Sequence, residues 1–100
     1  VQEHPFLAVA FHAPGCGHCR RLHPSWIKAA ELLEHHDPPI RLARLDVTSQ
    51  SGMGAWKALG LQRVPTVKVF VGSIEEPLPY KGRLDPDGIA AHLTMMQRVR

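Results

Sequence analysis

Cys16 and Cys19 are the only cysteines of the chain, and they stand in the sequence Cys16-Gly17-His18-Cys19, where a short apolar run gives way to a helical pattern. If the helix begins at Cys16, the two residues lie three apart on one helix face. Their Cα atoms are then about 5–6 Å apart, inside the window that a disulfide accepts. Such a pair can close and reopen a small ring. At the helix N-terminus Cys16 meets unpaired backbone N–H groups and the positive end of the helix dipole, and both favour thiolate over thiol. His18, when protonated, adds a second stabilising charge. A free thiol with a pKa of about 8.5 is only a few per cent ionised at pH 7, whereas one lowered to about 6 is roughly 90% thiolate. That difference makes a nucleophile. Cys19, one turn deeper and covered by the residues that follow, is expected to hold its proton more tightly and to act as the resolving thiol.

The surrounding elements must hold this pair in place. Phe6-Leu7-Ala8-Val9-Ala10-Phe11 is an apolar run ended by Ala13-Pro14-Gly15, which suits a strand buried on both faces. A helix is predicted from Cys16 to Glu34, with Leu22, Trp26, Ala29, Ala30 and Leu33 at helical spacing, a kink at Pro24 and a stop at Asp37-Pro38-Pro39. Ile40 to Val47 alternates apolar residues with arginines and reads as a less buried strand, followed by a helix from Met53 to Leu59 closed by Gly60. Val67 to Val71 and Leu78 to Tyr80 read as two further strands. A last amphipathic helix is predicted from Pro86 to Arg98, capped by Asp85, with Ile89, Leu93 and Met96 facing inward. The order is βαβαββα. It implies an α/β fold with a four-stranded mixed sheet flanked by helices.

Size and composition agree with one globular domain. The chain has 100 residues, 44% of them hydrophobic and 21% charged, which excludes a disordered tail, a collagen-like fibre and a disulfide-stapled mini-scaffold. The net charge of +3 comes from scattered Lys and Arg, with Arg20-Arg21 the only adjacent pair, so no nucleic-acid surface is expected. His35-His36 sits beside Asp37-Pro38-Pro39 and reads as solvated surface. No apolar run approaches the about 18 residues of a membrane span. The chain starts at Val1 without the features of a signal peptide. It reads as a segment excised from a longer protein, whose cellular address lies elsewhere.

The segment His12-Ala13-Pro14-Gly15-Cys16-Gly17-His18-Cys19-Arg20-Arg21-Leu22-His23-Pro24-Ser25-Trp26 resembles the active-site segment of the thioredoxin-like domains of the protein disulfide isomerase family. Further matches follow in order: Ala43 to Thr48, then Gly60-Leu61 leading to Val64-Pro65-Thr66, then Tyr80-Lys81-Gly82-Arg83. The resemblance covers nearly the whole chain. It lacks the family's first strand and helix, of which Val1 to His4 would be the tail, and so implies a single, minimal thioredoxin-like domain over residues 1–100.

The resemblance implies a thiol–disulfide oxidoreductase or isomerase acting on cysteine-containing proteins or peptides. Cys16 would attack and Cys19 would resolve the mixed disulfide. The redox group is then the cysteine pair itself, with no cofactor and no metal. Pro65 matches the family's cis-proline, and the backbone of Val64 would pair with a bound peptide beside Gly15. Gly17 and His18 complete the motif, and histidine there is the isomerase-type choice, which makes the disulfide more oxidising. Glutathione or an upstream thiol oxidase would be the redox partner, and the endoplasmic reticulum lumen the compartment.

Four positions depart from the family pattern. Gly15 stands where the family usually has Trp. Ala10 replaces a buried acidic residue beneath the motif, thought to take the proton of the resolving cysteine, so slow resolution is expected unless another group serves. Arg44, at the family's partner-lysine position, is left without that acid. Gln62 falls where the isomerases carry an arginine, with Arg63 one position away. Two other readings stay open: a thioredoxin-fold module that mainly binds a substrate or partner with weak redox activity, and a metal or redox-sensing site built from Cys16, Cys19 and two of His12, His18 and His23. Trp26, Trp56, Phe11 and Phe70 read as core, and Asp46 as a strand-end or capping residue.

Overall fold

The computed structural model describes residues 5–72 and 76–99, so Val1 to His4 lie outside the described residues. The first strand, β1 (Phe6–His12), occupies the inside of a four-stranded sheet. Phe6, Ala8 and Ala10 enter one hydrophobic cluster, and Val9 and Phe11 enter the cluster on the opposite face. Burial on both sides is why this strand reads as an unbroken apolar run rather than an alternating one.

The helix α1 (Gly17–Leu32) follows, then β2 (Arg41–Asp46), α2 (Gln50–Ala58), β3 (Thr66–Val71), β4 (Leu78–Pro79) and α3 (Pro86–Arg98). The sheet order is β2-β1-β3-β4, with β1 and β2 parallel and the pairs β1/β3 and β3/β4 antiparallel. This is the expected βαβαββα order and mixed sheet. The arginine-rich strand lies at one edge, where Arg41 and Arg44 reach solvent. The short β4 closes the other edge, where Pro79, which has no N–H to donate, is tolerated.

Helices cover both faces. Leu22, Trp26 and Ala29 of α1 and Ile89 and Leu93 of α3 pack on one side, while Ala55 and Trp56 of α2 lie with Leu61 on the other. Trp26 is buried and its indole N–H donates to the carbonyl oxygen of Ala43 at 3.0 Å, tying α1 to the edge strand. Pro24 sits inside α1, where its missing N–H leaves the Arg20 carbonyl without the usual helical bond. Asp85 caps α3 as expected, accepting from the Gly88 N–H at 3.3 Å.

Two helix starts differ from the sequence reading. Cys16 is the N-cap of α1, one residue before the first helical position. The second helix begins at Gln50 rather than Met53, because Ser49 caps it and its Oγ accepts from the Gly52 N–H at 3.0 Å. Gly52 is buried where a Cβ would stand 1.8 Å from the Asp46 carbonyl oxygen, so only glycine lets this helix start against the end of β2.

Candidate active site

The motif sits on the turn from β1 into α1. Pro14 and Gly15 are exposed, and Gly15 takes a left-handed backbone with φ of +77°, a conformation that favours glycine. A Cβ on Gly15 would meet nothing within 4 Å. The loop therefore has room at the position where the family usually carries Trp, and its backbone suits the glycine that is there.

Cys16 is half-buried with an extended backbone, φ −87° and ψ 111°, and its Sγ accepts a hydrogen bond from the backbone N–H of Cys19 at 3.1 Å. As the cap rather than the first helical residue, its sulfur takes over one of the donors that a helix start leaves unpaired. On reduction, that N–H would add to the helix dipole in favouring negative charge on Cys16. Cys16 and Cys19 form a disulfide, with Cα atoms 5.2 Å apart. Cys19 is only 8% exposed, whereas His18 is at the surface and Gly17 half-buried. A Cβ on Gly17 would make ordinary contact with the Arg21 guanidinium at 3.6 Å, so sterics alone do not demand glycine there.

Val64 and Pro65 are joined by a cis peptide bond and are half-buried. Pro65 lines the same cavity as Cys19. Gln62 and Arg63 are exposed and lie outside that cavity's lining. The Arg63 carbonyl instead accepts from the Thr66 hydroxyl at 2.5 Å, which fixes the turn into β3.

The cavity has a volume of about 540 Å³ and runs beneath the motif, from Ala10 and Trp26 to Gly15. Ala10 is buried and lies in register with Arg44 across the parallel pair. Arg44 lines the cavity and forms no ion pair among the described residues. Among the described residues, His12, Arg20, His23 and Arg44 are the ionisable side chains of the wall besides Cys19, and no carboxylate joins them. The Nδ1 atom of His23 is buried and has no hydrogen-bond partner, a deficit that ordinarily costs about 1–3 kcal/mol. Burial, and next the positive charge of Arg44, hold the pKa of His12 below its ordinary 6.5, with Asp46 opposing and His23 adding to the lowering.

Sequence reasoning considered His12 and His23 only as metal ligands. Among the described residues no group of three or more His, Cys, Asp or Glu is placed to hold a metal ion. The signal that could have found His23 is its four-residue spacing from Cys19 on one helix, which sets the two on the same face. Asp46 ends β2 and turns back on its own chain, its Oδ1 accepting from the Thr48 N–H at 2.8 Å and the Thr48 hydroxyl at 2.7 Å. Those hydrogen bonds hold its pKa below the usual carboxylate value.

Residues 1–95 match the sequence pattern of the thioredoxin family. The chain belongs to that family. This thioredoxin-family chain is 40% identical over 93 residues to the protein disulfide-isomerase of Zea mays and 38% identical to that of Datisca glomerata, in each case covering 93% of this chain and 18% of the relative. It thus spans about a fifth of the length of the curated relatives it matches. Its fold is also similar to the first thioredoxin domain of mouse protein disulfide-isomerase A4, with a TM-score of 0.76 at 29% identity over 91% of this chain and 62% of that one. The thioredoxin fold is common ground with these domains.

Proposed function

We propose that the chain is a thiol–disulfide oxidoreductase domain that forms and rearranges disulfides in cysteine-containing proteins through Cys16 and Cys19. The observation that carries this reading is the disulfide at the start of α1, where the half-buried Cys16 sulfur receives a helix N–H and its partner Cys19 is buried. In the reduced state the Cys16 thiolate, stabilised by that N–H and by the nearby His18, attacks a substrate disulfide. Cys19 then displaces the substrate from Cys16. In the oxidised state a substrate thiolate attacks the Cys16 sulfur and the sequence runs in reverse.

Two features support the oxidising and isomerising direction over reduction. Stabilising the Cys16 thiolate favours the dithiol form and so raises the reduction potential. The relatives at 38–40% identity carry the name protein disulfide-isomerase. In either direction an extended peptide would lie along Pro65, on the wall of the Cys19 cavity, with the Val64 backbone as its partner and the open Gly15 edge as its path to Cys16. The cysteine pair is the redox group, so no cofactor is required. Glutathione or a thiol oxidase would renew it, and the endoplasmic reticulum lumen would be its compartment. No described helix is long and apolar enough to cross a membrane.

Equilibration of the domain with a glutathione redox buffer, followed by recovery of a scrambled-disulfide test protein, tests the reading. A potential well above about −270 mV, the value of a reducing thioredoxin, together with faster recovery that is lost in Cys16→Ser, is expected. A potential at or below that value, or recovery unaffected by Cys16→Ser, would contradict it.

A further inference from the structure

The reaction just described needs a group that removes the proton from Cys19, and the family's acid for that task is absent because Ala10 fills its place. We propose that His12 and His23, facing one cavity from β1 and α1, are the proton acceptor for the resolving thiol of Cys19. The inference rests on the function proposed above and deepens it by naming the base of its second step.

Three observations converge on these two imidazoles. Cys19 and His23 are four residues apart on α1 and both line the cavity beneath the motif, so helix geometry sets them on one face. His12 enters the same cavity from the end of β1. Among the described side chains of the wall, only these two can take a proton from a thiol. Arg20 and Arg44 remain charged, and Trp26 can only donate. No carboxylate of the described residues lines the cavity. The Nδ1 atom of His23 is buried yet has no hydrogen-bond partner, as expected of a group whose partner is present in only one stage of a reaction.

Charge favours the neutral, accepting form of His12. From β2, Arg44 lies close enough to lower its pKa and Asp46, at the strand end, partly opposes it; from α1, His23 lowers it further, and burial is the largest cause. The remaining charged group on the wall is Arg20, also of α1. Arg44, which lacks the acid its position usually serves, thus gains a task here: after burial, it adds to the lowering that favours the neutral imidazole of His12 on the cavity wall.

The step balances as follows. With Cys16 joined to a substrate sulfur, an imidazole ring nitrogen takes the proton of the Cys19 thiol. The Cys19 thiolate attacks the Cys16 sulfur, forming the Cys16–Cys19 bond and breaking the bond from Cys16 to the substrate. The two electrons of the broken bond leave with the substrate sulfur as thiolate, and the imidazolium returns its proton to that thiolate or to solvent. The cysteine pair is oxidised and the substrate cysteine reduced.

The reduced domain, mixed with a glutathione-linked peptide and quenched in acid at increasing times, gives by mass spectrometry the growth and decay of the mixed disulfide. Decay divided by the alkylation rate of Cys16 isolates resolution from the first attack. In the wild-type domain, the contribution of His12 to resolution is expected to level off above its ionisation, which lies below its ordinary 6.5. In His12→Gln/His23→Gln it is expected to fall at least about tenfold at pH 7, and Ala10→Glu in that background is expected to restore it, a rescue that damage to the fold would not allow. A wild-type rate that climbs about tenfold per pH unit through pH 8, with no levelling, would assign the proton to hydroxide and overturn the proposal without any variant. An unchanged rate in the folded double variant would overturn it as well. If no mixed disulfide forms on Cys16 at all, the function itself falls, and the proposed base with it.

Discussion

Ala10 on β1 and Arg44 on β2 are direct partners in the parallel ladder, the alanine buried at 2% exposure and the arginine reaching solvent along the wall of the cavity. A carboxylate introduced at position 10 would therefore arise within reach of a cation that has no ion-pair partner among the described residues. Ala10→Glu is expected to speed resolution of the mixed disulfide only slightly in the wild-type background, where imidazoles already serve, and strongly where His12 and His23 are both Gln. It is expected to lower stability by about 1–3 kcal/mol, the usual range for burying a polar group with incomplete pairing. Denaturant unfolding and acid-quench kinetics on the four combinations check both halves. Equal acceleration in the two backgrounds would show that the histidines are idle.

The lowered pKa of His12 has a consequence for stability. A histidine whose folded pKa lies below its unfolded value of about 6.5 costs nothing above that value, where both states are neutral. As the pH falls from about 6.5 through the folded pKa, the unfolded chain binds the proton first and stability is lost. The wild-type domain should therefore lose midpoint denaturant concentration between about pH 7 and the folded pKa of His12, and His12→Gln should lose less over the same interval. Parallel slopes for the two proteins would contradict the assignment of that loss to His12.

His18 is exposed in the first turn of α1, two residues after the cap Cys16. Replacing it with Pro removes an imidazole that, when protonated, favours the thiolate and hence the reduced state. The potential of His18→Pro in a glutathione equilibrium should fall by about 30 mV or more, which corresponds to about 1.4 kcal/mol for a two-electron couple. An unchanged or higher potential would remove His18 from the account.

Gly52 is required by the approach of α2 to β2. A Cβ there would lie 1.8 Å from the Asp46 carbonyl oxygen and 2.8 Å from the Val47 Cα, and these are backbone atoms that cannot turn aside. Gly52→Ala should therefore destabilise the domain by about 3 kcal/mol or more, at the upper end of overpacking costs, although alanine is the better helix former. Gly54, in the same helix with open space around it, is the control: Gly54→Ala should be neutral or slightly stabilising. Thermal melts of the two variants decide, and a stable Gly52→Ala would mean that the helix start shifts freely.

How far these features could be read from the sequence follows from their physical range. The unbroken run Phe6 to Phe11 announced a strand buried on both faces, and it forms β1 between β2 and β3. The Cys16-Gly17-His18-Cys19 motif, placed at the end of that run, gave the site because strand-to-helix turns and helix N-termini are local properties. The start of α2 was missed for a local reason too. Gln50-Ser51-Gly52 has weak helix propensity, and the single cap at Ser49 outweighed it only together with the packing of Gly52 on Asp46. The cavity joining Ala10, His12, His23 and Arg44 was illegible as a unit. It depends on β1, α1 and β2 meeting at one end of the sheet, and no periodicity in one segment records that. Ala10 and Arg44 were singled out by resemblance, but the two histidines gained meaning only once their shared wall was visible.

The central claim is that Cys16 is the attacking sulfur of an exchanging pair, and limited alkylation tests it most directly. The reduced domain is treated with a small amount of iodoacetamide near neutral pH, and the modified cysteine is located by mass mapping of peptides. The position of Cys16 at the helix cap, with its sulfur receiving the Cys19 N–H, and the burial of Cys19 require label on Cys16 well before Cys19. Label appearing first, or equally, on Cys19 would contradict the account.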